Sequence, residues 1–260
     1  MTTERKIALI TGGSRGLGRN SAIHLAAKGI DTILTYRADK AAADETVAKI
    51  GKAGGTAVAL QLDTAEVSGF DDFASRLAAA LKRTWGRDRF DFLVNNAGSG
   101  VFKPFAETTE ADFDAMLNVH LKGVFFLTQK LAPMIADGGR ILNISSGLTR
   151  FALPGFAAYA TMKGGIEVLT TYLAKELAER QITVNVLAPG AIETDFGGGM
   201  VRDNAEVNAY IASTIARGRG HCSRPLNAYP RGSIRTPNSS PASSRYIQRY
   251  SAKLARTRMS

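Results

Sequence analysis

Short apolar runs rich in β-branched residues alternate with longer amphipathic stretches from residue 7 to about residue 190. This alternation is typical of repeated βαβ units, and the near-continuous apolar runs indicate strands buried on both faces. We therefore expect an α/β fold with a doubly wound parallel sheet, of the Rossmann-like type. The predicted strands are 7–10, 32–36, 57–62, 92–95, 140–145 and 183–187. The predicted helices are 16–28, 40–52, 69–84, 110–135, 156–180 and 203–216.

The length and composition fit a single domain of this kind. At 260 residues, 45% of them hydrophobic, the chain is long enough for one full core and short for two. No run approaches the ~20 apolar residues of a membrane span, and the first residues lead into a strand rather than a signal peptide. We expect a soluble cytoplasmic protein without a membrane partner. The single cysteine, Cys222, excludes an internal disulfide and has no neighbours at metal-ligand spacing, so no metal site is expected.

The net charge of +10 is concentrated near the C-terminal end. Residues 217–260 contain ten Lys and Arg and no Asp or Glu, whereas residues 1–216 contain 23 of each sign. The polarity and lack of periodicity predict a disordered or loosely attached tail beside a domain of residues 1–216. A solvated tail is favoured over a tether, so no nucleic-acid partner is expected. The abrupt start at Arg217 also fits translation in a shifted reading frame, which is a second hypothesis for this segment.

A glycine-rich turn follows the first predicted strand and opens the first predicted helix, with the sequence Thr11-Gly12-Gly13-Ser14-Arg15-Gly16-Leu17-Gly18. Gly12 permits a tight turn, while Gly16 and Gly18 let a pyrophosphate approach the backbone amides at the helix N-terminus. This context predicts a dinucleotide site. A glycine-rich turn without a ligand is the alternative.

The end of the second strand indicates which dinucleotide binds. An acid there would accept the adenosine ribose hydroxyls, but the chain reads Thr35-Tyr36-Arg37. Arg37 and Arg15 would form a two-pronged clamp for a 2'-phosphate, because guanidinium groups match phosphate oxygens. NADP(H) is therefore favoured. NAD(H) stays open, because both arginines could be solvated and Asp39 is close in sequence.

Tyr159 and Lys163 are four residues apart in a predicted helix, and Ser146 follows the fifth strand thirteen residues before Tyr159. Residues i and i+4 share one helix face, so the phenol and the ammonium are expected to point into the same cleft. A nearby cation lowers the pKa of a phenol by favouring the phenolate. The pattern predicts a phenol that acts as acid or base near neutral pH, at a hydride-transfer site.

The ordered set of these motifs resembles the short-chain dehydrogenase/reductase family, in its compact TGxxxGxG / YxxxK subgroup. The resemblance covers about residues 5–216. The motifs that carry it, besides the glycine turn, are Asn95-Asn96-Ala97-Gly98, Asn118, Ser146, Tyr159 with Lys163, and Pro189-Gly190.

The resemblance implies roles for individual residues. Tyr159 would be the general acid or base, Lys163 would hold the cofactor ribose and favour the phenolate, and Ser146 would stabilise the reacting oxygen. Asn118 would anchor a water that connects Lys163 to solvent. The residues implied at the cofactor are Gly12, Ser14, Arg15, Gly16, Leu17, Gly18, Arg37, Asp63, Asn95, Ala97, Gly98, Tyr159, Lys163, Pro189, Gly190, Ile192 and Thr194.

The predicted function is an NADP(H)-dependent oxidoreductase that moves hydride between nicotinamide and a ketone or secondary alcohol. Residues 191–213 resemble the family's mobile lid, and the helices 110–135 and 156–180 resemble those that pair in its homo-dimers and homo-tetramers. Family members end with a further helix and a seventh strand, which residues 217–260 do not match in sequence. The alternative function is therefore a dinucleotide-binding protein that has lost turnover. Neither the substrate nor the direction of the reaction is fixed by the sequence.

Overall fold

The computed structural model describes residues 5–214 and 221–222. The predictions made for the tail fall largely outside the described residues. The strands are β1 (Ile7–Ile10), β2 (Asp31–Tyr36), β3 (Ala57–Gln61), β4 (Phe90–Asn95), β5 (Ile135–Ile144), β6 (Thr183–Leu187), β7 (Ile192–Glu193) and β8 (His221–Cys222). The helices are α1 (Gly16–Ala26), α2 (Lys40–Lys52), α3 (Phe70–Trp85), α4 (Glu110–Leu117), α5 (Gly123–Leu131), α6 (Ala157–Glu176), α7 (Met200–Asp203) and α8 (Ala205–Thr214).

Six parallel strands form the main sheet in the order β3-β2-β1-β4-β5-β6. Apolar side chains of α1 and α2 pack on one face of the sheet, and those of α3, α5 and α6 pack on the other. All four residues of β1 are fully buried, as expected for a central strand covered on both faces. The predicted doubly wound, Rossmann-like α/β fold is confirmed.

The continuous helix predicted over 110–135 is wrong in its interior and at its end. A π-helical turn, Asn118–Lys122, separates α4 from α5, and the Gly123 amide donates to the Asn118 carbonyl five residues earlier. Gly123 also packs on the Thr64 carbonyl so closely that a Cβ atom would overlap it. A turn of 3-10 helix containing Pro133 then ends the helix. Periodicity alone did not reveal this interruption, because a π-turn keeps the chain helical.

Strand β5 begins five residues earlier than predicted. Ile135 pairs with Phe90, and the register with β4 then shifts before Phe92 pairs with Arg140. Gly138 lies in this irregular part with a φ of 74°, a conformation that glycine adopts without strain. The polar and glycine residues of 136–140 hid the first half of the strand from a pattern based on apolar runs.

A second, two-stranded parallel sheet joins β7 to β8, with Ile192 opposite His221 and Glu193 opposite Cys222. The sequence had predicted no strand after residue 217, so this pairing corrects that expectation for two residues. In the main sheet as described, β6 is an edge strand. No helix among the described residues combines the length and apolar composition needed to cross a membrane.

Candidate active site

The glycine-rich turn follows β1, at the point between β1 and β4 where the order of the strands in the sheet reverses. Ligands of open parallel sheets bind outside the carboxyl ends of the strands at such a switch point. The ends of β4, β5 and β6 meet at the same edge. The predicted site residues on the loops after these strands therefore surround one crevice.

The glycine turn is fixed from two sides. The Gly13 amide donates to the Thr35 carbonyl at 2.8 Å, and the Gly12 amide donates to Thr35 Oγ1 at 3.2 Å. From β4, Asn96 Nδ2 donates to the Thr11 carbonyl at 2.9 Å. Neither Thr35 nor Asn96 had been given a role from the sequence. Their signal was present, since both are polar residues at the end of a buried strand.

Three of the four glycines in the motif, Gly12, Gly16 and Gly18, are required for different structural reasons. Gly12 and Gly16 have φ angles of 66° and 55°, which favour glycine. Gly18, which is predicted to let a pyrophosphate approach, is also closely packed inside the protein. A Cβ atom there would overlap the Gly12 carbonyl and would lie 2.6 Å from Asn96 Nδ2. Gly18 therefore allows α1 to pack on the turn.

The N-terminus of α1 suits an anion. No side chain caps it, and its first turn contains no acidic residue. The first amides of a helix lack partners within the helix, and the helix dipole favours negative charge there. Leu17 lies in this first turn. Ser14 is buried, and its carbonyl accepts a hydrogen bond from Arg19 Nε at 2.9 Å, so its backbone is held in place.

The two arginines of the predicted phosphate clamp, Arg15 and Arg37, are exposed beside the glycine turn and the end of β2. Asp39, the residue that kept NAD(H) open, caps α2: its Oδ1 accepts from the Ala42 amide at 2.9 Å. Two exposed arginines and one exposed carboxylate therefore lie near the glycine turn and the end of β2.

The remaining residues expected near the adenosine lie at the ends of β3 and β4. Asp63 is exposed, and its Oδ1 accepts from the Ala65 amide at 2.9 Å. The side chain of Asn95 points into the protein, where Nδ2 donates to Thr128 and to Asn143. Ala97 donates its amide to Thr11 Oγ1 at 2.9 Å. Asn95 therefore braces the sheet from within, while the backbone after it lines the crevice.

The loop after β6 contacts both the turn after β5 and the glycine turn. The Pro189 carbonyl accepts from the Gly147 amide at 2.8 Å, which joins this loop to the turn after β5. Gly190 follows, and Ile192 begins β7. Thr194 packs beside Gly16, since a Cβ atom at position 16 would lie 3.7 Å from Thr194 Cβ.

Tyr159 and Lys163 lie together on the buried face of α6, as their spacing predicted. Lys163 Nζ donates to the Ile144 carbonyl at 2.8 Å and lies 5.6 Å from the centre of the Tyr159 ring. Ser146 accepts a hydrogen bond from the Leu148 amide at 3.2 Å and lies near enough to Tyr159 to lower the pKa of its phenol. Asn118 is half-buried at the start of the π-turn.

The electrostatics of Tyr159 differ from the expectation. Burial raises the pKa of Tyr159 to about 12, and the hydrogen bond from Ser146 opposes this only in part. Burial also lowers the pKa of Lys163 to about 8. The structure therefore holds a neutral phenol at neutral pH, where the sequence had predicted a phenol poised to ionise.

His120 is a neighbour of Tyr159 that belongs to none of the sequence motifs. It is fully buried, and its ring meets the Tyr159 ring edge-on at 5.0 Å. Its Nε2 lies 2.6 Å from the Ser99 carbonyl, which makes Nε2 the protonated nitrogen. Burial, followed by the charge of Lys163, lowers the pKa of His120 to about 3. Gly98 packs against the imidazole, because a Cβ atom there would lie 2.8 Å from Cε1.

An apolar cavity of about 300 Å³ is lined by Phe156, Ala157 and Ala160, which flank Tyr159 in the sequence, together with Leu148 and Phe105. The Phe196 ring lies 5.6 Å from the Tyr159 ring. Apolar and aromatic side chains therefore lie close to Tyr159. Among the described residues, no three His, Cys, Asp or Glu side chains form a group that could hold a metal ion.

Comparisons with known proteins agree on one family. The family model described as short chain dehydrogenase matches residues 6–205. The hydroxynaphthalene reductase-like protein Arp2 of Metarhizium brunneum is 37% identical over 191 residues, which cover 73% of this chain and 69% of that protein.

Two solved ketoreductase structures are similar throughout the sheet. The promiscuous reductase LugOII, which catalyses keto-reduction at C1 during lugdunomycin biosynthesis, is 40% identical with a TM-score of 0.79, covering 84% of this chain and 86% of LugOII. The angucycline C-6 ketoreductase LanV, solved with bound NADP, is 34% identical with a TM-score of 0.79, covering 84% of each chain.

Proposed function

The chain belongs to the short-chain dehydrogenase/reductase family of NAD(P)-dependent enzymes, and we propose that it reduces a ketone with NADPH. The observation that carries this proposal is the grouping of Ser146, Tyr159 and Lys163 beside the glycine turn at the switch point of the sheet. A protonated phenol next to a hydroxyl is the arrangement that a carbonyl oxygen needs as it gains charge and a proton.

NADP(H) is the proposed cofactor, and the residues present fit it. The uncapped N-terminus of α1 would bind the pyrophosphate, and Arg15 and Arg37 would bind the 2'-phosphate. Asp39 uses one carboxylate oxygen to cap α2, and LanV is a relative with NADP bound. Bound NADPH supplies the hydride. Lys163 would hold the ribose hydroxyls, and Thr194 would meet the carboxamide.

Tyr159 is the proposed proton donor. Its raised pKa keeps the hydroxyl protonated at neutral pH, which is the form that reduction consumes and oxidation does not. Ser146 would donate its hydroxyl to the same carbonyl oxygen, while Asn118 would order a water beside Lys163. Phe196 and the glycines after it would cover the site, since Gly197 and its two successors have positive φ angles and suit a hinge.

A ketone on a fused-ring skeleton is the proposed substrate. The cavity lined by Leu148, Phe156 and Ala160 has an apolar lining and offers no charged group to an anionic substrate. The names of the relatives point the same way: a hydroxynaphthalene reductase-like protein, and a ketoreductase, LanV, solved with rabelomycin. A flat, apolar ring system matches both observations.

The test measures oxidation of NADPH and NADH with a fused-ring ketone such as a tetralone and with a β-oxoacyl thioester. We expect turnover with the ring ketone, and a preference for NADPH that falls at least ~10-fold in Arg37→Ala, as for loss of a charge-assisted phosphate contact. Arg83→Ala on α3 serves as the matched control, because Arg83 is an exposed arginine away from the crevice. Tight NADPH binding without turnover of any ketone would support the dinucleotide-binding alternative instead.

A further inference from the structure

One carboxylate fastens the turn that carries Ser146. Glu167 accepts hydrogen bonds from Ser145 Oγ at 3.0 Å, Thr149 Oγ1 at 2.7 Å and Arg150 Nη2 at 2.9 Å. These donors lie on both sides of Ser146 in the sequence. Glu167 therefore holds the two ends of a short turn whose middle presents the Ser146 hydroxyl.

The same turn is tied to β6 on its other side. The Ser145 amide donates to the Leu187 carbonyl at 2.7 Å, and the Gly147 amide donates to the Pro189 carbonyl at 2.8 Å. Thr149 Oγ1 also lies 2.9 Å from the Ser146 carbonyl. The bonds to β6 fix the turn against the sheet, and the bonds to Glu167 fix it against α6.

Glu167 belongs to the helix that carries the other two groups of the site. Tyr159, Lys163 and Glu167 follow one another at intervals of four residues on α6, so they share one helix face. Ser145 Oγ also lies 3.3 Å from the Lys163 carbonyl. The position of Ser146 relative to Tyr159 is therefore set through α6 itself, one helical turn beyond Lys163.

We propose that Glu167 is a positioning residue, which sets the distance between the Ser146 hydroxyl and the Tyr159 hydroxyl by binding Ser145 and Thr149. This inference rests on the proposed function. The two hydroxyl bonds carry the effect, because Arg150 is mostly exposed and its ion pair with Glu167 is screened by solvent. Glu167 belongs to none of the sequence motifs, and its side-chain hydrogen bonds are to Ser145, Thr149 and Arg150 rather than to Ser146 or Tyr159.

The experiment is a double-mutant cycle between Glu167→Ala and Ser146→Ala, measured as kcat for ketone reduction. We expect Glu167→Ala to lower kcat by roughly 10- to 100-fold, because a misplacement of about 1 Å costs that much in a positioned site. In the Ser146→Ala background the same change should cost less than about 3-fold, because the hydroxyl that it positions is gone. Equal losses in both backgrounds would overturn the proposal and leave a purely structural role.

Two further variants separate positioning from folding. Glu167→Gln keeps an oxygen acceptor for Ser145 and Thr149, so it should restore most of the lost kcat. Arg150→Ala should change kcat by less than about 3-fold, as expected for an exposed ion pair. A Gln variant as impaired as Glu167→Ala would contradict the assignment of the effect to the hydroxyl bonds.

A crystal structure of Glu167→Gln and of Glu167→Ala tests the inference independently of turnover. In Glu167→Ala the Ser146 hydroxyl should move away from the Tyr159 hydroxyl, and in Glu167→Gln it should not. An unmoved Ser146 in Glu167→Ala would refute the positioning role even if the parent enzyme is active. If the parent reduces no ketone but Ser146 moves, the proposed function fails and the positioning role stands.

Discussion

Burial keeps the Tyr159 phenol protonated, which suits the proposed role of its hydroxyl as the proton donor in ketone reduction. The spacing of Tyr159 and Lys163 correctly predicted that they share a helix face, but it carried no information about desolvation. The Lys163 ammonium donates a hydrogen bond to the Ile144 carbonyl. Burial raises the pKa of Tyr159, and Ser146 opposes this rise. The ionisation state of the phenol is thus a property of the fold around it.

The first prediction concerns the ionisation of Tyr159 in the protein alone. Because burial raises the pKa of Tyr159 to about 12, its phenolate should be missing throughout the neutral and mildly alkaline range. Ultraviolet titration of the parent and of Tyr159→Phe should therefore give the same number of tyrosinates up to about pH 10, the ordinary tyrosine value. A phenolate that titrates near pH 8 in the parent and is lost in the variant would contradict this.

The second prediction concerns the stability of the protein in acid, to which His120 contributes. Its pKa is about 3 in the folded protein, against about 6.5 when unfolded, so between these values only the unfolded chain takes up the proton. His120 therefore costs no stability above pH ~6.5, and the free energy of unfolding falls by at most about 1.4 kcal/mol per pH unit as the pH drops towards 3.

Urea denaturation at a series of pH values checks this. In His120→Gln, which keeps a donor for the Ser99 carbonyl, the free energy of unfolding should fall less steeply between pH 6 and pH 4 than in the parent. Above pH 7 the slopes of parent and variant should agree. Identical slopes in the acid range would mean that His120 takes up its proton in the folded state.

Among single residues, the sequence predicted those whose spacing is local and missed those whose partners are distant. Tyr159, Lys163 and the glycine turn have signatures within eight residues. Asn96, His120 and Glu167 acquire their surroundings only when separate strands and helices come together. Gly18 was predicted at the site, but the sequence carried no sign of its packing against Asn96, which depends on tertiary contacts.

At the scale of elements, the glycine turn and α1 pack directly against the residue that follows β4. The turn is held by Thr35 from β2 and by Asn96 after β4, and Gly18 provides the space for this contact. Local periodicity predicted the strand and the helix on either side of the turn. It did not predict the interlocking with β4, nor the π-turn that divides α4 from α5, because both depend on contacts between distant segments.

The third prediction tests this interlocking. Gly18→Ala should lower the free energy of unfolding by roughly 1–3 kcal/mol, because the new methyl group overlaps the Gly12 carbonyl and the turn must shift. NADPH binding should weaken with it. Gly51→Ala is the matched control, because Gly51 lies in α2 with nothing within 4 Å of the position a Cβ atom would take. This change should raise the free energy of unfolding by up to about 1 kcal/mol. A Gly18→Ala protein as stable as the parent would refute the account of this turn.

For the whole molecule, the sequence predicted the fold class and all six main strands, because buried parallel strands leave an unmistakable apolar pattern. The order of the strands does not follow from periodicity, since it depends on which distant segments pair. The small β7–β8 sheet was missed for a different reason, because two residues per strand are too few to give a pattern.

The surface of α5 and α6 leads to the fourth prediction. Phe125, Phe126, Val168 and Tyr172 are large hydrophobic residues that remain exposed on these two helices. Large apolar side chains left exposed on helices that cover one face of the sheet are candidates for a protein interface. We expect a homo-dimer in solution, with α5 and α6 at the interface, by sedimentation velocity.

A double variant, Val168→Glu with Tyr172→Glu, should shift the protein to monomer without unfolding it, because both changes are at exposed positions on one stripe of α6. Lys52→Glu on α2, which packs on the opposite face of the sheet, should leave the assembly unchanged. A parent that sediments as a monomer, or a variant that stays dimeric, would exclude this interface.

The central claim is that Tyr159 delivers the proton in ketone reduction, and removing its hydroxyl tests this most directly. Tyr159→Phe and the parent should be compared for kcat in NADPH oxidation with the same fused-ring ketone, alongside NADPH binding by fluorescence. We expect kcat to fall by at least ~10²-fold, the usual range for an acid–base group, while NADPH still binds. An unchanged kcat in Tyr159→Phe would contradict the account.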